Sequence, residues 1–292
     1  MNKELMAARS SFIIHHSSFP SSFIISSIVC PNVMTTVLTT TLSVVGVLML
    51  AVWLLSLVKK DASIVDGFWG LGFVAIAVSC YLAADGYHSR KILITTLTAV
   101  WGIRLAIHIF WRNFGKGEDF RYQAMRKRFG KRFPIISLFT VFGLQGVLMW
   151  IISLPIQIAE ISPQPRRLLW LDWLGASLWL IGFLFESIGD LQLTLFRVNP
   201  SNKGKVMDRG LWRYTRHPNY FGDAVMWWGL FVIAMAAPGG WWTVIGPLIM
   251  TRLLMKVSGV ALLEKTLTKT KPEYASYIQR TNAFFPWLPA KR

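Results

Sequence analysis

The chain has 292 residues, 53% hydrophobic and only 15% charged, with 14 tryptophans and a net charge of +17. That length could hold two soluble domains, but so apolar a composition argues against them, and several windows reach the roughly 20 apolar residues that a bilayer requires. A surplus of lysine and arginine could suit nucleic acid, yet here it falls in blocks between apolar segments, which excludes that class and indicates an all-α polytopic membrane protein.

Residues 1–33 stand apart. Ser10-Ser11-Phe12-Ile13-Ile14 recurs as Ser21-Ser22-Phe23-Ile24-Ile25. The stretch is too short and polar to span, and it lacks the continuous apolar core of a signal peptide. It reads as a translated upstream extension without structure, with Met34 as a natural start; the alternative is a small outer segment. Beyond it, about seven transmembrane helices are expected at 35–58, 63–84, 92–111, 134–159, 168–189, 223–238 and 241–262. Residues 34–160 then form a substrate-side group of helices and 161–292 a cofactor-binding membrane domain.

Charge sets the expected topology. Lys59 and Lys60 follow the first span, a block from Arg112 to Arg132 the third, a block from Arg197 to Arg216 the fifth, and Arg252 to Arg292 the seventh. The alternate loops hold only Arg90, Lys91, Arg166 and Arg167. Positive residues stay cytoplasmic, so the N-terminus is expected outside and the C-terminus inside. Cys30 and Cys80 make no disulfide framework, and the five histidines show no metal-ligand spacing, so no metal is expected.

In the second span, Asp66 lies close to the start, where an acid is costly unless it faces the bundle interior or water. It either caps the helix N-terminus, beside Asp61 and Ser63, or lines a functional cavity. The third span carries Arg104 and His108 four residues apart on one face. An intramembrane arginine needs a partner, and Asp66 or Glu186 could supply it, as a structural ion pair or as part of a catalytic group. The basic loop after this span, with Glu118, Asp119, Arg121 and Tyr122, is expected to lie as an amphipathic segment on the membrane surface. The fifth span brings Glu186 and Asp190 to one side near its inner end. The sixth and seventh form a hairpin turning at Pro238-Gly239-Gly240.

The most informative stretch runs from Arg209 to Asp223, through Gly210-Leu211-Trp212-Arg213 and Arg216-His217-Pro218-Asn219-Tyr220-Phe221-Gly222. Arginines pair phosphates bidentately and aromatic rings cover flat ones, so the segment suits an anionic, ring-bearing cofactor at a cytoplasmic-side pocket. The plain alternative is a basic loop that only sets topology.

With Phe196-Arg197, Ser258-Gly259, Leu263-Glu264-Lys265, Tyr274, Tyr277 and Phe285-Pro286, this stretch makes residues 186–287 resemble the C-terminal domain of steroid 5α-reductases and of sterol C14 and delta-7 reductases. Bacterial membrane proteins with that domain resemble the chain too, which implies the bacterial inner membrane. The resemblance implies NADPH binding by Arg197, Trp212, Asn219, Tyr220, Glu264 and Tyr277. Arg213, Arg216 and Asp223 join them as neighbours in the motif, the arginines as phosphate ligands. Glu264 stands where the sterol enzymes usually have aspartate, and Pro218 is not the residue of every branch.

The N-terminal half does not carry the Glu–Tyr pair with which steroid 5α-reductases polarise the substrate carbonyl. By placement alone, Asp66, Tyr81 and His108 are the catalytic candidates. The expected function is therefore an NADPH-dependent reductase of a lipophilic steroid, polyprenyl or fatty substrate at an activated C=C bond. An isoprenylcysteine-type methyltransferase using S-adenosylmethionine shares Arg-His-Pro, but it usually reads Gly-Pro-Tyr where this chain has Gly210-Leu211-Trp212, and its next acid falls further on than Asp223. A non-enzymatic scaffold or transporter is the third reading; no polar track crosses the spans to favour transport.

Overall fold

A computed structural model describes residues 31–257 and 259–290. The repeat in the expected extension, Cys30, His15 and His16 lie outside these residues, as does Ser258 of the motif. Helix α1 (Pro31–Lys59) begins before Met34, so residues 31–33 belong to the first helix and not to an unstructured extension. It is followed by α2 (Ile64–Ala83), α3 (His88–Asn113), α4 (Phe120–Phe129) and α5 (Phe133–Ser137). A π-turn at Leu138–Gly143 leads into α6 (Leu144–Ile152), then α7 (Leu154–Ile161) and α8 (Trp170–Val198). The chain closes with α9 (Pro218–Met235), α10 (Ile245–Arg252), α11 (Val260–Thr270) and α12 (Tyr274–Arg280). No strand occurs among the described residues.

Five helical runs are long and apolar enough to cross a membrane: Asn32–Lys59, Ile64–Ala83, His88–Asn113, Phe120–Ile152 and Trp170–Val198. In hydrocarbon every backbone group must find its partner inside the chain, which is why such segments are helical. The expected sixth and seventh spans are also helical but shorter or broken. One is α9, of 18 residues; the other divides into a 3-10 turn at Gly240–Val244, α10, and a π-turn at Leu253–Val257. The basic loop after the third span is itself mostly helix α4, started by Asp119, which accepts from the Arg121 amide at 2.9 Å.

Glycines set the register of the two helices that matter most. Gly175, Gly182 and Gly189 recur every seventh residue on α8, and Gly222 and Gly229 do so on α9. A Cβ at Gly182 would run into the Gly222 carbonyl, and one at Gly175 would meet Gly229 in the same way. Small residues let backbones approach where packing alone drives association, and here they bring the helices nearly into contact. That register sets Glu186 and Asp190 of α8 opposite Asn219 and Asp223 of α9. The mutually packed rings of Phe73, Trp101 and Trp227 then join α2, α3 and α9 beneath the polar cluster.

At the opposite end, Arg90 is fully buried in an ion pair with Asp172 at 2.8 Å. Lys91 donates to the Ala84 carbonyl. Arg90 and Lys91, in the first turn of α3, are therefore consumed by the fold, which leaves Arg166 and Arg167 exposed at this end.

Candidate functional site

Three helices each contribute two polar residues one turn apart. Arg104 and His108 come from α3, Glu186 and Asp190 from α8, Asn219 and Asp223 from α9. Arg104 joins the first two helices. Its Nη1 donates to Glu186 Oε1 at 2.8 Å and its Nη2 to Asp190 Oδ2 at 2.7 Å. Trp101 Nε1 donates to the other Glu186 oxygen at 3.0 Å. A planar fork between two carboxylates is geometry that arginine provides and lysine does not. The partner expected for Arg104 was Asp66 or Glu186; it is Glu186, with Asp190 added.

Asp190 is the hub. Asn219 Nδ2 donates to its Oδ1 at 3.0 Å, and His108 Nε2 stands 3.6 Å from Oδ2. The Asn219 amide oxygen is buried and has no hydrogen-bond partner, and so is Asp223 Oδ1. Buried acceptors left open in this way are uncommon and mark places where another group is expected.

Above the hub opens a cavity of about 830 Å³, within the usual range for small-molecule sites. His108, Arg197, Trp212, Asn219, Tyr220 and Tyr277 all line it, so most of the expected cofactor residues and one catalytic candidate share one space. Three further cations line it, Arg112, Lys116 and Lys271, and neither they nor Arg197 has a carboxylate partner among the described residues. Trp212 is held in place through Nε1, which donates to the Gly189 carbonyl at 3.0 Å, and the Tyr277 hydroxyl donates to the Trp212 carbonyl. The turn beneath Trp212 begins at Gly210, whose φ of +58° is one that residues with a Cβ rarely adopt.

Other expected residues are placed differently. Arg216 touches the cavity, but its guanidinium is not free for phosphate. Nε and Nη2 donate to the two Glu264 oxygens at 2.7 and 3.1 Å, and Nη1 donates to the carbonyls of Ile278 and Thr281. Glu264 also meets His217 Nε2 at 3.2 Å. Burial pushes the Glu264 carboxyl up, but hydrogen bonds from His217 and Arg216, with the arginine charge, overcome it and hold the group at about 2. Arg216 and Glu264 are thus a clasp that fastens the C-terminal segment to the loop, behind the cavity wall. Asp223 is not among the lining residues, and Arg213 opens on a separate cavity.

Two catalytic candidates stand outside the cavity wall. Asp66 neither lines the cavity nor caps α2. It accepts from Arg121 Nη2 at 2.8 Å and from the Tyr122 hydroxyl at 2.9 Å, and so orients Arg121, which does line the cavity. Tyr81 sits at the other end of α2, beneath Lys91 Nζ at 4.8 Å, fifteen residues and about 22 Å of helix from Asp66. The geometry leaves His108 as the candidate that meets the cavity. The residues that sequence reading passed over are Arg112, Lys116 and Lys271. Arg112 had a signal, since it continues the Arg104–His108 face by one more turn.

A family model described as "Protein of unknown function (DUF1295)" matches residues 52–281. An uncharacterized protein of Schizosaccharomyces pombe is 24% identical over 262 residues, covering 81% of this chain and 76% of its own length. No solved structure matches the chain.

Proposed function

This chain belongs to the DUF1295 family, and we propose that it is an integral-membrane reductase that uses NADPH to reduce an activated C=C bond of a lipophilic steroid-, polyprenyl- or fatty-type substrate. The observation that carries this reading is the cavity with cations free of carboxylate partners on one wall and an ordered polar hub at its floor. A dinucleotide phosphate needs positive charge not already neutralised, and Arg112, Lys116, Arg197 and Lys271 provide it. Trp212 and Tyr220 offer ring faces. Asn219 lines the cavity and carries a buried, unpaired acceptor that a small shift of the side chain would turn to a carboxamide. The lining residues therefore suit the cofactor by their charge, their ring faces and an unpaired acceptor.

NADPH, when bound, supplies a hydride. The chain's own part is the proton and the orientation. Arg104 holds Asp190 by a charge-assisted bond, Asp190 faces Nε2 of His108 and would balance a charged ring, and the proton on the other ring nitrogen, Nδ1, would pass to a substrate oxygen as negative charge develops there. The surrounding apolar helices exclude water and suit a substrate arriving from the bilayer. The positive-inside rule places the cavity end and the C-terminus in the cytoplasm and the N-terminus outside.

The test is cofactor binding to detergent-purified protein, comparing NADPH, NADH and S-adenosylmethionine on wild type and on Arg197→Gln. Saturable NADPH binding that weakens about tenfold in the variant supports the reading. Binding of S-adenosylmethionine alone would instead make the protein a methyltransferase. Binding of none would favour the scaffold.

A further inference from the structure

A second cavity, of about 400 Å³, lies beside the first and is separated from it by Tyr277, which lines both. Its walls come from the turn Gly210–Arg213, from the end of α12, and from the C-terminal residues Pro289 and Ala290. Three arginines line it, Arg209, Arg213 and Arg280, against one carboxylate, Asp208. Only Arg280 approaches that carboxylate, loosely, at 3.7 Å. Arg209 and Arg213 have no ion pair among the described residues, so the cavity carries an excess of two positive charges.

These walls are built and not incidental. The Thr281 hydroxyl donates to the Arg213 carbonyl at 3.3 Å, the Ala290 amide to the Arg280 carbonyl at 2.9 Å, and the Trp287 amide to the Tyr214 carbonyl at 2.9 Å. The turn, α12 and the C-terminal strap are thereby stitched into one rim. The strap is anchored on the first turn of α9, where Phe221 meets the rings of Phe284 and Phe285. The rim lies beside the last turns of α8, where the Leu211 amide donates to Gln192 Oε1 at 3.0 Å, and beside the first turn of α9, a level that the topology reading sets at the membrane surface.

What the strap displays names the occupant. Phe285, Trp287 and Leu288 are 65%, 71% and 76% exposed, three large apolar side chains in four residues next to the arginine-lined cavity. Aromatic and apolar groups beside unpaired arginines match the two chemistries of a lipid at an interface, acyl chains below and a phosphate above. A soluble phosphate would meet the arginines and leave the apolar strap without purpose.

We propose that Arg209, Arg213 and Arg280 form a binding site for the phosphate of an anionic phospholipid headgroup, with Phe285, Trp287 and Leu288 seated in the adjoining bilayer. This proposal does not depend on the reductase reading, because none of these arginines lines the first cavity.

The experiment is native mass spectrometry of the full chain released from nanodiscs of phosphatidylcholine with and without phosphatidylglycerol. Comparison is made of wild type, Arg209→Gln/Arg213→Gln and Arg209→Lys/Arg213→Lys, with inorganic phosphate as a soluble competitor and NADPH binding measured in parallel. Retained phosphatidylglycerol in wild type, reduced about tenfold or more in the glutamine variant and largely kept in the lysine variant, is the expected result. The lysine variant guards against misreading a folding defect as a lost site. An equal loss on Arg128→Gln/Arg132→Gln would reduce the effect to diffuse attraction and overturn the site. So would displacement by inorganic phosphate with no preference between the lipids. Loss of NADPH binding with phosphatidylglycerol unaffected would make the cavity an extension of the dinucleotide site, and would also overturn the proposal.

Discussion

Asn219 donates its side-chain amide to Asp190 at 3.0 Å across the glycine-lined contact of α8 and α9, while its own amide oxygen stays buried without a partner. The donor half of this side chain is fixed by the fold, and the acceptor half is buried and unpaired in a residue that lines the cavity. Asn219→Ala should therefore leave the fold standing, since Arg104 still holds Asp190, and weaken NADPH by about 10- to 100-fold, the worth of about 1–3 kcal/mol for one buried hydrogen bond. Asn219→Asp should be worse than alanine, because it sets a second carboxylate against Asp190. Titration of NADPH against both purified variants checks the order; equal binding in all three proteins would remove Asn219 from the site.

Arg104 is the pin of the bundle. It is the group that neutralises Glu186 and Asp190 together, and breaking a buried pair by removing one partner typically costs about 3–5 kcal/mol. Arg104→Met should lower the Tm of the detergent-solubilised protein sharply. Adding Glu186→Gln and Asp190→Asn to that variant should restore much of the loss, because the stranded charges are then gone. A triple variant no more stable than Arg104→Met would show that the arginine acts by packing.

The glycine contact gives a prediction with its own control. Leucine at Gly182 would have to displace the α9 backbone, and overpacking a tight contact costs about 1–3 kcal/mol or more. Gly46, on α1, has no atom within 4 Å of where a Cβ would be, so Gly46→Ala should be neutral or slightly stabilising, as alanine outranks glycine in a helix by about 1 kcal/mol. Thermal unfolding of the two variants separates helix propensity from helix contact.

How far the sequence disclosed all this depended on the range of the interaction. The helices were legible because apolar length is a local property, and the shared face of Arg104 and His108 followed from a spacing of four. Arg216 was expected to hold phosphate because its neighbours are arginine and tyrosine. Its partner Glu264 is 48 residues away, and no local pattern announces such a pairing. Tyr81 lies outside the cavity wall for a related reason. A span has two ends, and composition did not show that this residue stands at the end away from the cavity. The α8–α9 pairing was present as two sets of glycines seven apart, a signal that becomes meaningful only when the helices are known to face each other.

The clasp predicts a pH dependence. Glu264 is held at about 2, below the ordinary glutamate value of 4.5. A carboxylate with a depressed folded value stabilises fully above its unfolded value and loses that contribution as pH falls through the folded one. Attachment of the C-terminal segment should thus be insensitive to pH above about 5 and weaken from there toward about 2. Glu264→Gln should show weakened attachment at every pH with that acid limb removed. Limited proteolysis within residues 271–290 as a function of pH reads this directly. An unchanged cleavage rate in the variant would mean that the bonds from Arg216 Nη1 to the Ile278 and Thr281 carbonyls hold the segment unaided.

His108 and Tyr81 were both candidates by placement and can be set against each other, because the fold puts Tyr81 at the end of the bundle away from the cavity that His108 lines. His108 lines the cavity and faces Asp190 at 3.6 Å. Tyr81 lies under Lys91 with its ring against His88, and contributes nothing to the cavity wall. Positioned proton donors typically contribute about 10²- to 10⁴-fold. With a lipophilic α,β-unsaturated ketone as substrate, His108→Gln should lower kcat by at least about 100-fold while leaving NADPH affinity nearly intact, since glutamine can occupy the same space without carrying the proton. Tyr81→Phe should leave kcat and KM unchanged. If Tyr81→Phe is the inactive variant, proton delivery reaches the substrate from the far end of α2, and the hub of Arg104, Asp190 and His108 is a structural device alone.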